Sequence, residues 1–62
     1  MVPEAEIIET IIALRTEADE ARHMTSSLND SAAIADLFAY ARALEADADF
    51  LELGLRRQAE AA

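Results

Sequence analysis

The sequence predicts an all-α fold: an antiparallel two-helix hairpin that pairs with a second copy into a four-helix bundle. Three observations lead there. Two runs of apolar residues repeat at alternating spacings of three and four, the pattern of a packed helix face. One short polar break, Ser26-Ser27-Leu28-Asn29-Asp30-Ser31, separates them, and a connection this short folds consecutive helices back on each other. The second run also carries an apolar stripe on its opposite side, which a lone hairpin has no means of burying.

Helix 1 is read as about residues 3–27. Pro3 fits the first helical turn, where its missing N–H costs nothing. Glu4 and Glu6 follow, suited to the positive end of the helix dipole. Ile7, Ile11, Leu14, Ala18, Ala21, Thr25 and Leu28 then form the seam. The turn is placed at 28–31, with Asn29 able to adopt the left-handed conformation that ends helices and Asp30 or Ser31 able to cap the next one.

Helix 2 is read as about residues 31–58. Its seam is Ile34, Leu37, Ala41, Leu44, Ala48, Leu51 and Leu55. Folding the hairpin about its turn sets Ile7 beside Leu51, Ile11 beside Ala48, Leu14 near Leu44 and Ala18 opposite Ala41. The Ala18/Ala41 layer is small on both sides, so either the helices approach closely there or another molecule fills the space. Gly54 sits inside the pattern and marks either close backbone approach or the onset of fraying. Glu52 and Arg56 form a favourable i,i+4 pair. Residues 59–62 are expected to be loose. Residues 1–62 thus read as one helical-hairpin domain.

Sixty-two residues bury little surface, and with no cysteine neither a disulfide nor a thiolate metal site can reinforce the fold. Helix packing or oligomerisation must supply the stability. The second stripe of helix 2 points to the latter. It comprises Ala39, Ala43, Ala46, Phe50 and Leu53, and Ile8 and Ile12 widen the apolar face of helix 1 at the same end of the hairpin. An exposed patch of this kind marks an interaction site. These seven residues are the candidate protein interface, for a second copy (a homodimer being favoured), a different protein, or both. The length, central turn and alanine-bearing seam resemble the dimeric hairpin regulators of plasmid copy number. That resemblance concerns layout alone, because helix 1 offers only Arg15 and Arg22 among six acids and lacks the basic surface for RNA.

The formal net charge of −8 argues against binding nucleic acid or an anionic membrane, both of which need positive charge. No apolar run is long enough to span a bilayer. The acidic start lacks the positive region of a signal peptide, so the expected location is cytoplasmic. A composition rich in alanine and free of lysine suggests a GC-rich bacterial genome or one of its phages.

Little here suits catalysis. Glu20-Ala21-Arg22-His23 has the Glu-x-x-His spacing of di-iron bundles, with Glu17 one turn earlier. Yet with Ala18 and Ala21 in the seam, Glu20 and His23 point outward. Asp47-Ala48-Asp49-Phe50-Leu51-Glu52-Leu53-Gly54 resembles a stretch of peptide-synthetase carrier domains, but the serine that carries their prosthetic arm has no counterpart. Ser26, Ser27 and Ser31 are turn and cap residues by type. The reading is therefore a non-enzymatic interaction module without cofactor or metal, in an adaptor, assembly-chaperone or immunity-like role. The alternative is an acidic, phage-encoded inhibitor that imitates nucleic acid through Asp47, Asp49 and Glu52. A carboxylate/histidine metal-binding bundle ranks third.

Overall fold

The computed structural model describes residues 3–61. Met1 and Val2, within the expected domain, and Ala62, within the expected loose tail, lie outside the described residues. Two helices pack against each other as a hairpin: α1 (Glu4–Met24) and α2 (Ser31–Ala61), joined by one 3₁₀ turn (Thr25–Ser27) and a three-residue link. The result is a rod with extents of 50 × 15 × 15 Å.

Each junction has a local cause. Pro3 stands just ahead of α1 rather than in its first turn, and its carbonyl accepts from the N–H groups of Glu6 at 3.1 Å and Ile7 at 3.3 Å. At the far end no described residue has a positive φ, so Asn29 does not reverse the chain in the left-handed conformation. Three consecutive hydroxyls do that work instead. Thr25, Ser26 and Ser27 donate to the carbonyls of Arg22, His23 and Met24 at 2.6, 2.8 and 3.0 Å. Backbone N–H groups at the cap also donate to the Arg22 and His23 carbonyls, so the 3₁₀ turn and the hydroxyls together satisfy the end of α1. Leu28 then extends the chain (φ −105°, ψ 145°). Asp30 caps α2: its Oδ1 accepts from the Ala32 N–H at 3.0 Å, and its carbonyl accepts from Ile34 at 3.0 Å.

The seam follows the expected spacing. Every position named for it in either helix is buried or part-buried. Ala18, Ala21 and Ala41 form its centre, with Leu37 and Leu44 packed against them. Ala18, Ala41 and Ala48 are 0% exposed with only this chain present, so the small layer is closed by helix approach and needs no inserted side chain. The cost of that closeness is a thin core. Among the described residues no large side chain is fully buried, and Ile11, at 6% exposed, comes nearest.

α2 is longer than expected. It runs unbroken through Gly54 to Ala61, past the expected end at 58 and through most of the segment expected to be loose. Thirty-one residues of α2 against twenty-one of α1 leave its last turns projecting beyond α1, and residues 56–61 are accordingly exposed. Gly54 marks neither close approach nor a helix end, because a Cβ built there would meet nothing within 4 Å. Gly54→Ala is therefore expected to raise the unfolding free energy by about 1 kcal/mol, the helix-propensity difference, in a urea titration.

Candidate interaction surface

Two flanks border the seam, and cross-helix side-chain pairs identify them. On one flank, Arg15 donates to Glu52 at 3.0 Å and to Asp49 at 3.2 Å, and seven residues along, Arg22 donates to the Glu45 carboxylate from both terminal guanidinium nitrogens. On the other flank the Tyr40 hydroxyl donates to Glu17 at 2.5 Å. Arg15 and Arg22 follow the seam residues Leu14 and Ala21, and Glu45 and Glu52 follow Leu44 and Leu51. This is the e-to-e′ pairing of an antiparallel coiled coil. Glu52 also receives Arg56 at 2.9 Å, the pair expected along α2.

Partly exposed ion pairs contribute little stability, but their spacing selects a register. A slip of one heptad either way keeps one rung and loses the other, leaving an arginine against Phe38 or Ala59. The electrostatics follow the contacts. Hydrogen bonding to Arg22 holds the Glu45 carboxyl below its ordinary value of 4.5, and hydrogen bonding to Glu17 raises the Tyr40 phenol above its ordinary 10.0. Glu45 thus stabilises the fold fully above pH 4.5 and loses that contribution as pH falls through its lower folded value. Tyr40 acts in the opposite direction, its contribution fading as pH rises above 10. Acid also relieves the repulsion behind the net charge of −8, so the informative quantity is a difference. In thermal melts from pH 6 to pH 3, wild type is expected to lose ground to Glu45→Gln below pH 4.5; parallel pH profiles would show the pairing to be unimportant.

The seven interface candidates are all exposed: Ile8, Ile12, Ala39, Ala43, Ala46, Phe50 and Leu53. Phe50 is 75% exposed and Ile12 59%. They do not share one face. Ile8 lies one heptad before Arg15, and Ile12 lies one turn beyond Ile8, so both belong to the ion-pair side. Phe50 and Leu53 lie on the back of α2, turned from the seam toward the Tyr40 side. Two separate apolar surfaces result, one on α1 and one on α2. Met24, Phe38 and Tyr40 add further exposed area nearer the turn. Met24 was not singled out from the sequence, although it precedes the seam residue Thr25 and so had to fall on a flank.

The other candidate chemistries take a definite form. Glu20 and His23 are exposed on α1, and His23 Nδ1 lies 2.9 Å from the Asp19 carbonyl, which assigns the proton to that nitrogen. Glu17 is engaged by Tyr40. Among the described residues no three histidine or acidic side chains are grouped to hold a metal ion. Asp49 and Glu52, which imitation of nucleic acid needs as free charges, are paired with Arg15. No described helix is long and apolar enough to cross a membrane. Compared with protein-family models, curated proteins and solved structures, the chain matches none of them.

Proposed function

We propose that this protein is a non-catalytic interaction module that pairs with a second copy of itself, two hairpins forming a four-helix bundle. The assembly serves as a docking unit for a larger protein, in an adaptor, assembly-chaperone or immunity-like role. A cytoplasmic, bacterial setting fits the cysteine-free, lysine-free composition.

One observation carries the reading: a stripe led by Phe50 and Leu53 is exposed on the side of α2 away from the seam. Burying large apolar side chains of this kind contributes roughly 1.5–3 kcal/mol each before association costs. The rod shape supports the same conclusion. The chain exposes 4746 Å², against about 3,900 Å² for a compact monomer of its mass. The excess, about 800 Å², matches one side of a standard protein interface.

Light scattering on wild type and Phe50→Glu/Leu53→Glu tests the proposal. Wild type is expected at twice the chain mass of 6.7 kDa, and the variant at the chain mass with its helices retained. A folded wild-type monomer would remove self-association from the proposal. A variant that stays dimeric would move the interface off this stripe.

A further inference from the structure

We propose that two copies join through antiparallel packing of α2 on α2, with Ala46 at the two-fold axis. This deepens the self-association reading and rests on it. The outer stripe extends at both ends into single charges: Asp36, Ala39, Ala43, Ala46, Phe50, Leu53, Arg57, at the same spacings of three and four. All seven side chains are exposed, and among the described residues neither Asp36 nor Arg57 has an ion-pair partner.

Reversing one copy about Ala46 matches every layer. Ala43 meets the partner's Phe50, and Ala39 meets the partner's Leu53, so each large side chain falls on a small one. Asp36 meets the partner's Arg57, twice by symmetry, closing the apolar seam with opposite charges at either end. A parallel, in-register pair would instead oppose Phe50 to Phe50, Asp36 to Asp36 and Arg57 to Arg57. Pairing about Ala46 overlaps the described residues of the two α2 helices, Ser31–Ala61, along their length. The turns of α2 that project beyond α1 then cover the first turns of the partner's α2.

The seam and the outer stripe lie roughly 160° apart around α2 at 3.6 residues per turn. The helices therefore run α1, α2, α2′, α1′ side by side, a flattened bundle rather than a square one around a single core. Ile8 and Ile12 stay outside this contact and remain open to a larger partner.

The cysteine-free chain makes the test direct. Positions 36 and 57 are about 30 Å apart along one helix, beyond the reach of a short bis-maleimide within a chain. Mixed Asp36→Cys and Arg57→Cys chains are expected to crosslink into a heterodimer, while neither crosslinks alone. Asp36→Arg and Arg57→Asp should each weaken dimerisation about tenfold, and the double exchange should restore it to within about twofold of wild type. Ile8→Glu/Ile12→Glu should leave the dimer intact. A monomeric wild type would overturn the self-association reading and this arrangement with it. A wild-type dimer in which Asp36→Cys crosslinks alone, or in which the two charge reversals add rather than cancel, would overturn the antiparallel arrangement only.

Discussion

Ile11→Ala is expected to lower the unfolding free energy by about 2–5 kcal/mol, the range for truncating a buried aliphatic side chain. Ile11 is the one large side chain among the described residues that is nearly shut off from solvent, at 6% exposed. The remaining large seam residues, from Ile7 to Leu55, are only part-buried. They already touch water along one edge, so truncating them forfeits less. The scale of the loss matters because a 62-residue domain has about 3–9 kcal/mol in total. Urea denaturation followed by circular dichroism at 222 nm checks this. Leu14→Ala should fall short of Ile11→Ala, and a reversed order would mean that the core is centred elsewhere.

Ala41→Leu should destabilise by the opposite route, by about 1–3 kcal/mol, through overpacking. Ala41 has no exposed surface and sits against Ala18 and Ala21, with Leu37 and Leu44 packed over the three. A leucine there would have to enter space that Ala18, Ala21, Leu37 and Leu44 already close around Ala41. The helices must move apart, which loosens the Arg22–Glu45 rung seven residues from Arg15–Glu52. Ala43→Leu, two positions on and exposed, makes the informative contrast. In the Phe50→Glu/Leu53→Glu background it should leave the hairpin's stability nearly unchanged, while in the wild-type background it crowds the place assigned to the partner's Phe50. Equal effects at 41 and 43 would contradict the separation of seam and outer stripe.

The seam was legible in the sequence because a helix converts spacing directly into a face. Ile11, Ala18, Ala41 and Ala48 needed only the alternation of three and four to be placed inside. Ile8 and Phe50 stand at similar heights above the turn, and height alone suggests one patch. Direction around the paired rod follows from carrying the spacing one step further. In an antiparallel pair the residues just after Leu14 and Leu51 share a flank, and the contacts of Arg15 and Tyr40 show that flank and its opposite, with Ile8 and Phe50 on different sides.

The signal for those contacts was present. Arg15 and Arg22 repeat with the heptad, as do Glu45 and Glu52, each directly after a seam residue. Considered only as an inadequate basic surface for RNA, the arginines concealed their structural use. The turn departs from expectation for a related reason. Asn29 has the propensity for a left-handed cap, but backbone N–H groups of the cap together with the Thr25, Ser26 and Ser27 hydroxyls satisfy the terminal carbonyls, so no left-handed residue is needed. The end of α2 followed propensity rather than the glycine: Arg56, Arg57, Gln58, Ala59, Glu60 and Ala61 are all good helix formers, and the helix continues to Ala61.

Whether the exposed stripe of α2 joins copies of this chain is tested most directly by melting the protein over a hundredfold range of concentration. Association that favours the folded state makes the midpoint rise with concentration by mass action. Wild type should show that rise. Phe50→Glu/Leu53→Glu should melt lower, at one temperature throughout. A wild-type midpoint that stays fixed across the range would contradict self-association.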